Sequence, residues 1–179
     1  MLKPKKIRFR NILADLAREN DFEFGVEVGV HLGKFSEVLL ARSRMRKLYL
    51  VDPWLDYGRG KYEMEGDDIF AECKARMVKF GKRAKLIREP SPEAVRHFKD
   101  DYFDFVFIDG NHKYKAVVAD LDAWWPKLKS GGILGCHDYC RRFNCRVIEA
   151  VSEFVEKHGL KEYAIIENKK WPTWWTVKE

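Results

Sequence analysis

The sequence predicts an α/β fold in which helices cover both faces of a mostly parallel sheet. Three observations support this prediction. Short apolar runs alternate with segments of helical periodicity along the 179 residues, which is typical of parallel sheets. Glycine or a polar residue follows several of these runs directly, at the sheet edge where ligands bind in such folds. A turn too short for a helix joins the last two runs, which predicts an antiparallel pair.

The individual elements follow from the spacing of apolar residues. Helices are predicted over about 8–20, from Gly33, around 69–80 up to Gly81, from Ser91, over 114–128 up to Gly131 and Gly132, and over 147–155, closing near Gly159. Ser91 has the residue type of a helix cap. Seven strands are predicted, at 24–30, 47–51, 84–88, 103–108, 133–136, 163–167 and 174–178.

Composition indicates an ordinary globular chain, with 46% hydrophobic and 35% charged residues, and the length suits one domain over 1–179. The net charge of +6 biases the chain mildly towards anionic partners. We expect the basic run at 3–10 to be a solvated terminus, and no known nucleic-acid docking module is evident in the sequence. We therefore expect a nucleic-acid partner to be unlikely, and the sequence leaves open whether the chain forms a homo-oligomer.

Location is predicted from what the sequence does not contain. The first residues lack the apolar run of a signal peptide, and no apolar stretch is long enough to span a membrane. The four cysteines show no CxxC spacing, so we expect them to be free core or loop residues. These features predict a cytoplasmic protein without a membrane partner.

A glycine segment from Gly25 to Gly33 follows the first predicted strand. Glycine permits a sharp turn and the close approach of a ligand, and the following helix start offers free N–H groups. The alternative is a tight turn without a ligand. The GxxxGxxxG spacing differs from the GxGxxG fingerprint, which disfavours a nicotinamide cofactor.

Asp52 ends the second predicted strand. A carboxylate at this place can accept hydrogen bonds from both hydroxyls of a ribose. The alternative is an acid of a surface turn. Because apolar and aromatic strand residues directly precede Asp52, we favour ligand binding.

Four segments together resemble the class I S-adenosylmethionine-dependent methyltransferases, and within them a subgroup of small O-methyltransferase-like proteins. They are Glu27-Val-Gly-Val-His-Leu-Gly33, Leu50-Val-Asp52, Phe107-Ile-Asp-Gly-Asn-His-Lys-Tyr114 and Gly131-Gly-Ile-Leu-Gly-Cys-His-Asp-Tyr139. The IDGxHxY segment (108–114) is the most specific of them. The resemblance covers roughly 22–177 and implies a Rossmann-like, doubly wound, seven-stranded sheet with an antiparallel C-terminal strand pair.

The resemblance also implies a site for the cofactor S-adenosylmethionine (SAM). Trp54 is expected to cover the adenine or to be a core aromatic residue. Ser91 is expected to lie beside the adenine ring or to cap a helix. His31, within the glycine turn, is a weaker candidate for contact with the cofactor. The full set of implied cofactor residues is Glu27, Gly29 and Gly33 at the methionine half, Asp52 at the ribose, and His31, Trp54, Ser91 and Asp109.

A divalent metal is implied by acids at two strand ends. In related metal-dependent O-methyltransferases, acids at the positions of Asp109 and Asp138 bind a cation that holds the acceptor hydroxyl. Two carboxylates suit a magnesium-like ion, whereas His137 at the third position leans towards a transition metal. The alternative is that Asp109 contacts the cofactor and Asp138 orders a loop.

The catalytic candidates are His112 and Asp109. His112 stands where a catechol O-methyltransferase has its lysine base, and a neutral imidazole can take a proton near neutral pH. The alternative is a histidine that bonds the backbone at a helix entry.

The predicted activity is methyl transfer from SAM to a small-molecule or sugar hydroxyl. The loops at 53–66 and 139–145 are the expected walls of the acceptor site. One alternative is a module that binds the cofactor without catalysis. The other is a nucleic-acid methyltransferase, which Asp109-Gly-Asn-His112 argues against because base methylation usually shows Asp/Asn-Pro-Pro-aromatic here.

Overall fold

Seven strands form one sheet in a computed structural model that describes residues 11–55, 65–141, 145–160, 163–166 and 171–179. The strand order is β3-β2-β1-β4-β5-β7-β6. The strands are β1 (Phe24–Val28), β2 (Lys47–Val51), β3 (Ala84–Ile87), β4 (Phe103–Ile108), β5 (Leu128–Cys136), β6 (Tyr163–Ile166) and β7 (Thr173–Val177). The first five pair in parallel, and β7 runs antiparallel to both β5 and β6. The predicted fold class is confirmed.

Six α-helices lie within the described ranges, one before β1 and five between consecutive strands. They are α1 (Ile12–Glu19), α2 (Lys34–Arg42), α3 (Gly66–Met77), α4 (Ser91–Ala94), α5 (Tyr114–Trp124) and α6 (Val147–His158). Short 3-10 segments follow α3 and α4. The predicted start of the first helix and the basic run at 3–10 lie outside the described residues.

The core lies on both faces of the sheet because neighbouring strand residues point to opposite sides. On β4, Phe105 and Phe107 pack with residues of α1, α2 and α3. Val106 and Ile108 pack with residues of α4, α5 and α6. Helices therefore cover both faces, as the doubly wound prediction requires, and the carboxyl ends of the parallel strands remain at one edge.

The prediction that Gly131 and Gly132 end the fifth helix is wrong. The helix α5 ends at Trp124, and both glycines lie within β5. The reason is pairing with the end of the chain: Gly131 N–H donates to the Lys178 carbonyl at 2.7 Å, and Lys178 N–H donates to the Gly132 carbonyl at 2.9 Å. These contacts are distant in sequence, so the local glycine signal did not show them.

The structure also bears on the cysteines and on membrane-spanning helices. The cysteines Cys73, Cys136, Cys140 and Cys145 are free and buried, as predicted. Among the described residues, no helix is long and apolar enough to cross a membrane.

Candidate active site

The glycine turn after β1 touches the turn after β4. Gly29 has a φ of 86°, and a Cβ there would overlap the backbone of Asp109. Gly29 N–H donates to Val51 at 2.8 Å, and Asp109 N–H donates to Val28 at 2.7 Å. Glycine is required because a side chain would separate these two turns.

The helix α2 begins directly after Gly33, whose φ is 72°. A Cβ at Gly33 would lie 2.9 Å from the Cys73 sulfur. Behind the turn, the buried Glu27 carboxylate accepts a hydrogen bond from the Ser36 hydroxyl. Ser36 thus fixes Glu27 at the end of β1, which sequence reasoning did not identify.

Asp52 is 6% exposed and binds the backbone of the glycine turn. Its Oδ2 accepts from Val30 N–H at 2.8 Å and from His31 N–H at 2.9 Å. Its Oδ1 accepts from Trp54 N–H at 2.7 Å. A carboxylate offers about four acceptor positions. The bonds to the backbone leave room for one ribose hydroxyl, whereas the sequence prediction required room for two.

Trp54 lies in the core, which is the second of the two roles considered for it. It is 2% exposed, and its ring packs against Phe70 with centroids 4.9 Å apart. Its Nε1–H donates to the His31 carbonyl at 2.9 Å. Burial lowers the pKa of the His31 imidazole, so His31 is neutral at pH 7 and contributes backbone groups to the turn.

Ser91 does not cap α4, contrary to one of its two predicted roles. Pro90 occupies the cap position, and the Ser91 hydroxyl instead donates to the Asp120 carboxylate. The Ser91 oxygen accepts from Trp124 Nε1–H at 2.9 Å. Burial raises the pKa of Asp120 to about 6. The sequence does contain a signal for Asp120, since this acid interrupts the apolar stripe of α5 between Val117 and Trp124.

Two acids and two histidines meet beyond the ends of β4 and β5. His137 Nδ1 lies 3.1 Å from Asp109 Oδ1 and 3.0 Å from Asp138 Oδ1. His112 Nε2 lies 2.9 Å from Asp138 Oδ2 and 3.8 Å from Asp109 Oδ1. The His112 nitrogen makes no well-directed hydrogen bond despite the short distance to Asp138. The structure thus brings all the predicted metal and catalytic residues together.

The two carboxylates hold protons on both imidazoles. The nearby carboxylates of Asp109 and Asp138 raise the pKa of His112 to about 9. Burial lowers the pKa of His137, but the same two acids outweigh it and raise that pKa to about 9. Burial raises the pKa of Asp138, yet the histidines shift it well below its usual value. At pH 7 His112 therefore carries a proton in this arrangement, whereas the prediction of a base assumed a neutral ring.

The cluster has the chemistry of a cation site. One ligand atom each from Asp109, His137 and Asp138 lies within 4.8 Å of the others. Carboxylate oxygens with imidazole nitrogen suit manganese, iron or zinc better than magnesium. A divalent cation would replace protons on the imidazoles, since metal ligands must be deprotonated.

The strand order, the glycine turn and the acids at the strand ends define a class I methyltransferase fold. A family model described as a methyltransferase domain matches residues 26–139. The chain belongs to this methyltransferase domain family. This confirms the predicted class of protein, while the IDGxHxY subgroup stays a prediction.

Two uncharacterized relatives share part of the sequence. One from Sinorhizobium fredii is 30% identical over 118 residues, covering 63% of this chain and 13% of the relative. One from Acanthamoeba polyphaga mimivirus is 26% identical over 151 residues, covering 80% of this chain and 63% of the relative. The chain therefore spans less than two thirds of the length of either relative.

Solved structures share the fold at low sequence identity. An O-methyltransferase from Bacillus cereus, in complex with SAH, has a TM-score of 0.70 and 12% identity, covering 98% of this chain and 84% of that one. An rRNA methylase from Streptococcus thermophilus has a TM-score of 0.66 and 15% identity, covering 99% of both chains. The name of the first states an oxygen acceptor and the name of the second states an rRNA, so the shared fold leaves the acceptor of this chain open.

Proposed function

We propose that the chain is a SAM-dependent methyltransferase that methylates a hydroxyl of a small molecule or sugar with the help of a divalent cation. The observation that carries the proposal is the cluster of Asp109, His112, His137 and Asp138 at the strand ends, beside the glycine turn. Family membership supports methyl transfer. The paired acids favour a hydroxyl acceptor, because such an oxygen must lose its proton to react.

On the cofactor side, the glycine turn and Asp52 provide the binding surface. The turn presents backbone N–H groups near the start of α2, and Asp52 keeps it in place through bonds to Val30 and His31. Glu27 lies buried behind the turn, where its negative charge complements the amino group of a methionine moiety. SAM would supply the methyl group as a sulfonium.

On the acceptor side, Asp109, His137 and Asp138 are the residues that would hold a cation. A bound cation supplies a positive charge that lowers the pKa of an acceptor hydroxyl. His112 Nε2 lies 2.9 Å from Asp138 Oδ2 and 3.8 Å from Asp109 Oδ1, and it holds its proton beside the two acids. Of the expected acceptor walls at 53–66 and 139–145, residues 56–64 and 142–144 lie outside the described residues.

Calorimetry and a methyl-transfer assay test this proposal. After treatment with a chelator, the chain should bind SAM and S-adenosylhomocysteine, and added Mn²⁺ should stimulate transfer to hydroxyl acceptors. Asp138→Asn should strongly reduce the stimulation, because it removes the negative charge of one ligand, while Asn tolerates the φ of 54° at this position. Asp101→Asn, before β4 at the opposite edge of the sheet, should leave it intact.

The outcomes separate the candidate functions. Absence of binding to either nucleoside would refute the proposal. Binding without transfer to any hydroxyl acceptor would favour the alternative of a cofactor-binding module. Equal activity with and without Mn²⁺ in the chelator-treated protein would remove the cation from the proposal while leaving methyl transfer in place.

A further inference from the structure

A cavity of about 640 Å³ lies beside β3, the outermost strand at one end of the described sheet. It is bounded by β3, by Tyr49 of β2 and by residues 97–102, which lead into β4. The chain returns from β3 to β4 through only α4 and one short 3-10 segment. The volume falls within the range of about 300 to 1,000 Å³ that is typical of small-molecule sites.

Three aromatic rings form the floor of this cavity. The ring of Phe98 lies 4.8 Å from that of Tyr49 and 5.7 Å from that of Tyr102, measured between centroids. All three residues belong to the core on the side of α4, α5 and α6, which holds them in place. Aromatic rings attract further rings in tilted or offset contacts. The aromatic floor (Tyr49, Phe98 and Tyr102) therefore suits a flat aromatic ligand.

The aromatic floor also provides a hydrogen-bond donor. The hydroxyl oxygens of Tyr49 and Tyr102 lie 2.9 Å apart. Each hydroxyl carries one proton, so the bond between them uses one proton and leaves the other for an oxygen of a ligand. Burial raises the pKa of Tyr49 to about 12, so this hydroxyl keeps its proton at pH 7.

The charged side chains around the cavity favour an anion. Lys85 and Lys99 line it, both are exposed, and neither forms an ion pair with a described residue. Arg88 lines it as well and pairs with an acid of α3. Glu89 is the one acid among the described lining residues, and its carboxylate lies 2.7 Å from His97 Nε2. Two ammonium groups are thus available to a negatively charged ligand.

We propose that this cavity binds a small aromatic anion, that is, an aromatic ring with a carboxylate or phosphate group, at a site separate from the candidate active site. The ring would lie on the aromatic floor, and the anionic group would pair with Lys85 and Lys99. A long anionic polymer needs an extended track of cations, whereas these groups converge on one cavity. None of the described lining residues belongs to the candidate site for SAM or for the cation, so the proposal does not depend on methyl transfer.

Proton NMR titration of the full chain with five small probes tests the proposal. Phenyl phosphate and benzoate carry both a ring and a charge. Benzyl alcohol carries the ring alone, and inorganic phosphate and acetate carry the charge alone. Each aromatic anion should bind at least about 10-fold more tightly than its uncharged or ringless controls, because it uses both parts of the cavity. The tighter of the two aromatic anions would identify the preferred anionic group, and S-adenosylhomocysteine should displace neither.

Three variants assign the binding to the cavity. The double variant Lys85→Gln and Lys99→Gln should weaken phenyl phosphate about 10-fold and leave benzyl alcohol unchanged. Tyr102→Phe keeps the ring but removes one hydroxyl, and it should weaken both aromatic anions about 2- to 10-fold. The matched control Lys74→Gln removes a cation from α3, which packs on the opposite face of the sheet, and it should change no affinity.

Each outcome bears on one proposal only. Failure of both aromatic anions to bind, or equal binding of phenyl phosphate and inorganic phosphate, would overturn the cavity as a site for aromatic anions. Displacement by S-adenosylhomocysteine would place the probes in the candidate active site and would also overturn it. Binding of an acidic peptide or an oligonucleotide without binding of the probes would replace it with a macromolecular partner. All these results leave the proposed methyl transfer standing, and a chain without transferase activity would leave the predicted binding of the probes unaffected.

Discussion

Replacing Asp120 by Asn should stabilise the fold near neutral pH. Burial raises the pKa of Asp120 from 3.8 to about 6, although the bond from Ser91 acts in the opposite direction. The folded chain therefore binds more protons than the unfolded chain between these two values. The contribution of Asp120 to the free energy of unfolding falls as pH rises through this window, and stays at its lower level above it.

The size of the effect follows from the shift. The pKa difference of 6 minus 3.8 is about 2 units, and one unit corresponds to about 1.4 kcal/mol. The ionised carboxylate thus costs up to about 3 kcal/mol at neutral pH. Asn resembles the protonated acid and can still accept from Ser91, so it should recover about 1 to 3 kcal/mol.

Urea unfolding of the wild-type chain and Asp120→Asn measures this difference. At about pH 8 the variant should have the larger free energy of unfolding in urea. In thermal melts its melting temperature should be higher by roughly 2 to 4 °C for each kcal/mol gained. Below pH 3.8 the two free energies of unfolding should converge, because the acid is then protonated in both states. The exposed Asp122→Asn serves as the control and should show neither change. A variant that is less stable at about pH 8, with the same pH profile as wild type, would refute the reasoning.

Three further predictions concern the turns and the acid–histidine cluster. Gly29→Ala should lower the free energy of unfolding in urea by more than about 3 kcal/mol, because it combines a positive φ with overlap at Asp109. The control Gly131→Ala, with a φ of 78° and open space, should lower it by only about 1 kcal/mol. Equal losses would contradict the role of the turn contact. His112 and His137 both have a pKa of about 9, so in the presence of chelator their contribution to stability should be present below pH 6.5 and lost as pH rises through 9. Thermal melts of the double variant His112→Gln and His137→Gln should lack this loss, and a pH profile identical to that of the wild type would exclude the link between these pKa values and stability. Mn²⁺ at about 100 times its dissociation constant should add roughly 2.7 kcal/mol of stability by mass action, measured as a higher melting temperature, and a similar gain in Asp138→Asn would place the ion elsewhere.

The sequence predicts the sheet well because strand burial is a local pattern. The runs at 47–51 and 103–108 coincide with β2 and β4, since both strands are flanked by turn residues and filled with apolar side chains. The first strand ends at Val28 rather than at 30. There the backbone already turns to meet Asp52, a contact across 22 residues that no local pattern contains.

The site is less predictable because its geometry depends on contacts between elements. The order of strand ends predicts that Asp109, His137 and Asp138 meet. It does not predict that the same acids raise the pKa of His112 to about 9. Nor does residue type distinguish the buried Trp54 from an exposed aromatic residue. Asp120 is the opposite case: its position on the apolar face of α5 was visible in the sequence, and its partner Ser91 was not.

The contact between Gly29 and Asp109 has a mechanical consequence. The turn expected to hold the methyl donor and the turn that begins the acid–histidine cluster meet backbone to backbone, with no side chain between them. A displacement of one turn would displace the other, so the cofactor side and the acceptor side of the proposed active site form one rigid unit. Alignment of donor and acceptor would then be built in when the chain folds, and changes of acceptor preference should arise from the surrounding loops.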